Sequence, residues 1–409
     1  MQTIDTISRS KYFIDLEEKF GAHNYHPLPV VLDRGEGVFL FDVDGKSYYD
    51  FLSAYSAVNQ GHCHPRIIST LVTQCQKLTL TSRAFYNDQL GEYEKYITNL
   101  FGYDKVLPMN TGAEGVETAV KLCRKWAYTH KRIPQNEAKI IVFEGNFHGR
   151  TMTAVSASTD PTSFEGFGPY LPGFIKIPYN DIHALETTIS QSNIAGILIE
   201  PIQGEAGVIV PSDEFLSKAF ALCKKNNVLF IADEVQTGLA RTGKWLACDY
   251  VSIKPDILIL GKALSGGVLP ISAILTSDEI MLCIKPGEHG STFGGNPLAA
   301  AVAKTSLDVI VEESMIDNAF VQGNLLRKRL EEIQNRNKII TNIRGKGLLN
   351  AIVIDTNEES DTAWKICLRM AKNGILAKPT HGNIIRFAPP LTITGEQIDE
   401  CCYLIEKSL

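Results

Sequence analysis

Four short runs constrain the fold more than anything else in the chain. Ile140-Ile-Val-Phe143, Gly196-Ile-Leu-Ile199, Val228-Leu-Phe-Ile231 and Ile257-Leu-Ile-Leu260 contain no polar side chain. A strand with one wet face alternates apolar and polar residues, so a run without alternation reads as a strand covered on both faces. Helical patterns lie between the runs. The one over 114–131 sets Val116, Val120, Cys123 and Ala127 on a single apolar stripe. Buried strands alternating with amphipathic helices predict an α/β fold with a mostly parallel central sheet over about 88–276.

The flanks read differently. A helix is expected over 11–20, followed by a strand pair, Gly37-Val-Phe-Leu-Phe-Asp42 and Lys46-Ser-Tyr-Tyr-Asp50. The Asp44-Gly45 turn between them favours a hairpin. Another helix starts near Pro297, and the last hundred residues suggest a smaller α+β unit. That unit has a strand after Arg344-Gly-Lys-Gly347, another at Ile384-Ile-Arg-Phe387, and a closing helix whose Thr394-Gly-Glu-Gln397 start has capping-box form.

Composition excludes several classes. Of the 409 residues, 44% are hydrophobic and 21% charged, which argues against a largely disordered chain. A net charge of −6 argues against a partner such as nucleic acid or an anionic membrane surface. No apolar run reaches the roughly 18 residues of a membrane span. The stretch 1–20 carries Asp5, Arg9, Lys11, Asp15, Glu17 and Glu18, unlike a signal or transit peptide. Nine scattered cysteines without a C-x-x-C motif read as reduced thiols, so a cytoplasmic location is expected.

In doubly wound sheets the chemistry sits just past the carboxyl ends of the strands. After Val228–Ile231 comes Ala232-Asp233-Glu234-Val235-Gln236. An acidic strand end also suits a nucleotide hydrolase, but that reading needs a G-x-x-x-x-G-K-[S/T] loop. Gly45-Lys46-Ser47 supplies its end, while Leu40 stands where the first glycine belongs. After Ile257–Leu260 comes Gly261-Lys262, followed by Ala-Leu-Ser-Gly-Gly267. A lone lysine is usually a solvated loop residue. At a strand end among small residues, its amine can instead form a Schiff base with a carbonyl cofactor. Asp233, about one βαβ step upstream, could then hold a ring nitrogen and make the ring an electron sink. Thr111-Gly112-Ala113-Glu114 opens a helix, whose free amides suit a phosphate.

These elements carry a resemblance. Together with Tyr55-Ser-Ala-Val-Asn-Gln-Gly-His-Cys-His-Pro65, Glu200-Pro-Ile-Gln-Gly-Glu-Ala-Gly207, Gly287-Glu-His-Gly-Ser-Thr-Phe-Gly-Gly-Asn296 and Arg386-Phe-Ala-Pro-Pro390, they make the whole chain similar to class III, fold-type I aminotransferases. Within that class it most resembles the enzymes acting on ornithine. The resemblance implies pyridoxal 5′-phosphate as cofactor, L-ornithine and 2-oxoglutarate as substrates, and a homodimer. It implies a large domain at 56–297, and a small domain built from the N-terminal segment 1–55 and residues 298–409 with their connecting helix. It assigns Lys262 as the Schiff-base and proton-shuttling lysine, Asp233 to the pyridinium nitrogen and Gln236 to the ring hydroxyl. Val235 and Phe147 would sandwich the ring. The Gly112 and Ala113 amides would bind phosphate, with Thr292 reaching in from the other subunit. On the substrate side it assigns Tyr25 and Tyr55 to ornithine, Arg150 to the distal carboxylate of the keto acid, and Arg386 to its α-carboxylate, with Glu205 masking Arg386 in between. The runner-up is an acylornithine or other ω-amino-acid transaminase.

One position departs from many relatives: His148 follows Phe147 where tryptophan is expected, outside the core catalytic set by this reading. His62 and His64 resemble a metal cluster only by composition, since Gly61-His-Cys-His-Pro65 is too compact to surround one ion, and no metal is expected. His23 and His26 read as loop packing, Cys401-Cys402 as buried thiols, and the charge run Arg327-Lys-Arg-Leu-Glu-Glu332 as a solvated helix face.

Overall fold

The computed structural model describes residues 9–409; the start of the 1–20 stretch and of the 1–55 segment lies outside the described residues. Seven strands form the central sheet: β4 Lys105–Met109, β5 Lys139–Phe143, β6 Phe174–Ile177, β7 Ile194–Ile199, β8 Leu229–Asp233, β9 Ile257–Leu260 and β10 Ser272–Thr276, in the order β4-β10-β9-β8-β7-β5-β6. Neighbours from β6 to β9 run parallel, and β10 is antiparallel to both β9 and β4. All four apolar runs fall in these strands. Every residue of β7, β8 and β9 is buried, as strands covered by helices on both faces require.

Two smaller four-stranded sheets flank it. β1 Leu32–Glu36, β2 Phe39–Asp42 and β3 Ser47–Asp50 extend into β13 Ile375–Leu376, which lies parallel to β3. The expected hairpin is present, with β2 antiparallel to β3. The other sheet has the order β11-β12-β15-β14, from β11 Ile340–Lys346, β12 Leu349–Ile354, β14 Lys378–Thr380 and β15 Ile384–Phe387. β11 was absent from the sequence reading; its burial pattern is mostly half-exposed, so it offers no apolar run to detect.

The helix expected from 114 begins two residues earlier, at Gly112–Trp126. Thr111 accepts from the Glu114 amide and the Glu114 carboxylate accepts from the Thr111 amide, a reciprocal cap. Val116, Val120, Cys123 and Ala127 are all buried. The α-helix ends at Trp126, and a π-turn over Ala127–Lys131 follows. The closing helix Gly395–Ser408 carries the Thr394–Gln397 capping box. No helix among the described residues is long and apolar enough to cross a membrane.

Candidate active site

Strands β4, β5, β7, β8 and β9 all point their carboxyl ends to one edge of the sheet, and a cavity opens there. It is lined by Gly112, Ala113, Phe147, His148, Glu200, Glu205, Asp233, Val235, Gln236 and Lys262, with Gly149, Ile202 and Thr237. Eight residues singled out in the sequence therefore meet in one place, although they come from five different strand ends.

Lys262 follows β9 with a left-handed φ of 46°, which turns its side chain into the cavity. Burial disfavours its ammonium, and Arg386 adds to that. Glu205 and Asp233 oppose it without cancelling it, so the amine is held below its ordinary value. Asp233 ends β8 and is buried; one oxygen accepts the Val235 amide at 3.1 Å and the other meets His148 Nδ1 at 2.7 Å. This corrects the sequence reading, which put His148 outside the catalytic set. Its position directly after Phe147 at the end of β5 was the signal. Burial pushes the imidazole towards its neutral form, but the bond to Asp233 and the Asp233 and Glu200 charges outweigh this and favour the cation. Glu200, just past β7, accepts the Phe147 amide at 2.9 Å. Burial lifts it to about 7, helped by Asp233 and opposed by His148. The sequence reading gave Glu200 no role.

The other end of the cavity holds a masked cation. Arg386 on β15 is buried, and its Nη1 meets Glu205 Oε1 at 2.7 Å. Gln236 donates to the same Glu205 oxygen at 3.1 Å. A Cβ at position 204 would sit 1.6 Å from Gln236 Oε1, so glycine there is what lets Gln236 reach Glu205. Burial alone would raise Glu205; the Arg386 charge and hydrogen bond, with Lys262 and Gln236, bring it below the usual carboxylate range. The Tyr55 ring lies 5.2 Å from the Arg386 guanidinium carbon.

Three predicted residues are exposed within one chain rather than buried in this cluster. Tyr25 is 72% exposed, with Lys378 Nζ 5.7 Å from its ring. Arg150 is exposed, 5.7 Å from the Phe147 ring. Thr292 is exposed and does not line the cavity. His62 and His64 face different partners, Asp50 and Glu313. His26 stacks on Trp364 at 4.3 Å, and His23 meets the Glu18 carbonyl.

The donors of the cavity fit a phosphorylated pyridine aldehyde. Among the described residues, the Gly112 and Ala113 amides have no partner in the chain, as expected for the first turn of a helix. A Cβ on Gly112 would come within 2.9 Å of Val235 Cγ1, which keeps this cradle narrow. A carboxylate for a ring nitrogen, an amine for an aldehyde and two apolar walls complete the set. His148 Nε2 and Arg386 Nε are both buried without a hydrogen-bond partner.

Comparison with known proteins agrees with this chemistry. The profile of the family "Aminotransferase class-III" matches residues 20–409. The mitochondrial ornithine aminotransferase of Drosophila melanogaster is 61% identical over 402 residues, covering 98% of this chain and 92% of the relative. The crystal structure of ornithine aminotransferase from Toxoplasma gondii ME49 superposes with a TM-score of 0.96 at 46% identity, covering 98% of this chain and 95% of that one. A structure described as acetylornithine aminotransferase from Elizabethkingia anophelis gives 0.91 at 61% identity, covering 98% and 99%.

Proposed function

The chain belongs to the class III aminotransferases, enzymes that use pyridoxal 5′-phosphate, and on that premise we propose that it transfers the δ-amino group of L-ornithine to 2-oxoglutarate. The products are glutamate-5-semialdehyde, which cyclises to pyrroline-5-carboxylate, and L-glutamate. The observation that carries this reading is the buried Arg386–Glu205 pair beside Lys262. An enzyme that takes an ω-amine in one half-reaction and a dicarboxylate in the other needs a carboxylate-binding arginine that can be covered and uncovered.

When bound, the cofactor supplies an aldehyde to accept an amine and a pyridine ring to accept electrons. In our reading Lys262 would hold the cofactor through its amine and would then serve as the proton-shuttling base at the substrate carbon. Asp233, fixed by His148 and the Val235 amide, would keep the ring nitrogen protonated. Gln236 would meet the ring hydroxyl, Val235 and Phe147 would hold the ring faces, and the Gly112 and Ala113 amides would take the phosphate. Tyr25 and Tyr55 orient ornithine while Glu205 covers Arg386. Glu205 then turns away, Arg386 takes the α-carboxylate of 2-oxoglutarate and Arg150 its distal carboxylate. A guanidinium can exchange one carboxylate for another with little loss of pairing.

We further propose a homodimer in which Thr292 of the second copy reaches the phosphate; the exposure of Thr292 in one chain supports this. The division 1–55, 56–297 and 298–409 is supported by the β3–β13 pairing, which joins the two chain ends. The proposal of a cytoplasmic location is supported by the nine cysteines, all of them free thiols. The Drosophila relative is named as mitochondrial, so cell fractionation is the deciding measurement.

The test is optical. Yellow purified protein should bleach on adding L-ornithine but not γ-aminobutyrate, and initial-rate plots with both substrates varied should be parallel. Intersecting plots, or no bleaching with ornithine, would overturn the proposal. The name of the Elizabethkingia structure favours a second reading, which wins if N-acetyl-L-ornithine turns over faster than ornithine.

A further inference from the structure

Ser53, Ala54, Tyr55 and Ser56 have φ values of 46°, 46°, 61° and 71°. Four consecutive non-glycine residues in the left-handed region make an unfavourable turn, because each Cβ crowds the following carbonyl. Such a segment persists only when its surroundings over-determine it. The turn's own hydroxyls do not hold it: Ser53 Oγ and Ser56 Oγ are both buried without a hydrogen-bond partner.

Beyond the turn's own backbone bonds, in which the Leu52 carbonyl accepts the Tyr55 amide and the Ser53 carbonyl accepts the Ala57 and Val58 amides, a carboxylate at the end of β3 holds it. Asp50 is 3% exposed, and its Oδ1 accepts the amides of Leu52 and Ser53, each at 2.8 Å. Its Oδ2 meets His62 Nε2 at 2.7 Å. His62 is fixed in turn by two backbone hydrogen bonds with Gly37, at 3.0 and 2.8 Å. The Asp50–His62 contact thus closes the loop that bears the turn, and the turn puts the Tyr55 ring beside Arg386.

We propose that Asp50 and His62 are positioning residues that fix the left-handed turn, place Tyr55 over the Glu205–Arg386 pair, and so set the efficiency of the ornithine half-reaction. The inference rests on the reading of Tyr55 as an ornithine-binding residue. It also gives His62 a task that its sequence neighbourhood did not suggest.

The test measures each half-reaction separately by stopped-flow absorbance of the holoenzyme's bound cofactor, with L-ornithine or with L-glutamate. His62→Ala should lower kcat/KM for ornithine about tenfold and leave glutamate within about twofold. His62→Gln, which keeps a donor, should recover most of the loss. In a Tyr55→Ala background, His62→Ala should add less than about twofold. Equal losses in both half-reactions, no rescue by glutamine, or full additivity with Tyr55→Ala would each overturn the positioning role. A Tyr55→Ala enzyme with unchanged ornithine kinetics would overturn the reading of Tyr55 itself. A Tyr55→Ala loss with no His62→Ala effect would overturn the positioning role alone. Asp50→Ala is a harsher variant, because Asp50 Oδ1 accepts two backbone amides; His62→Ala keeps those bonds.

Discussion

Removing the Glu205 carboxylate should change which amine of ornithine reacts. For the α-amine to reach the cofactor, the α-carboxylate of ornithine must bind Arg386, and Glu205 occupies that guanidinium at 2.7 Å. At a charge separation of about 4 Å and an effective dielectric of about 20, the pair attracts by about 4 kcal/mol. Desolvation offsets part of this, leaving about 2 kcal/mol, the scale of a hydrogen bond to a charged group. Opening the pair is therefore a barrier specific to the α-carboxylate route. Glu205→Ala abolishes that barrier, and about 2 kcal/mol corresponds to roughly a 30-fold rise in α-amine transfer relative to δ-amine transfer. The assay is the chromatographic ratio of 5-amino-2-oxopentanoate to pyrroline-5-carboxylate after reaction with ornithine. Glu205→Gln keeps a hydrogen-bonding oxygen without the charge and should fall between the two. An unchanged ratio in Glu205→Ala would refute the masking argument, since Arg386 would then be just as uncovered with no consequence.

Three further outcomes follow from the same contacts. Lys262→Ala should lose the absorbance of covalently held cofactor while keeping its far-UV circular dichroism; full activity in that variant would sink the assignment. His148→Phe removes the 2.7 Å partner of Asp233, and losing a bond to a charged group worth about 1.5–3 kcal/mol should lower kcat roughly 10- to 150-fold at unchanged cofactor content. A kcat within twofold would show that Asp233 needs no such support. Glu200 gives a pH effect: its carboxyl rises from 4.5 to about 7 on folding. Between those values the folded chain keeps a proton that the unfolded chain has lost, so stability falls as pH rises, by about 3 kcal/mol across the window. Glu200→Gln removes that dependence. Its stability gain over the parent in urea should therefore grow from pH 5 to pH 8, and an equal difference at both would refute the shift.

The parts of the fold legible in the sequence are those with local signals. Apolar runs mark β5, β7, β8 and β9 because burial on both faces leaves no alternation to confuse them. Capping chemistry marked the start of the last helix at Thr394. Lys262 and Asp233 were legible because strand ends are where ligands bind in such sheets. The contacts between strand ends were not legible. His148 and Asp233 are 85 residues apart in sequence, and nothing near either one states that the end of β5 faces the end of β8. The turn at 53–56 was hidden for another reason. It contains no glycine, so the usual mark of a left-handed backbone is missing, and Asp50 and His62 compensate from outside the segment.

The same geometry ties the substrate switch to the reactive amine. Burial is the main reason the Lys262 ammonium is disfavoured; Glu205 opposes that effect and Arg386 reinforces it. While Glu205 covers Arg386, the two charges act on Lys262 with opposite sign. If Glu205 turned away with nothing in its place, Lys262 would face an uncovered guanidinium. A dicarboxylate that binds Arg386 restores the negative charge at the moment Glu205 leaves. On the proposed substrate reading, the charge around Lys262 changes little between half-reactions, because the substrate carboxylate stands in for the side chain it displaces. On that reading, one pocket can serve an ω-amine and a keto diacid without two lysine environments. It also requires that the Glu205→Ala enzyme hold its Lys262 amine less basic than the parent does when no carboxylate substrate is present.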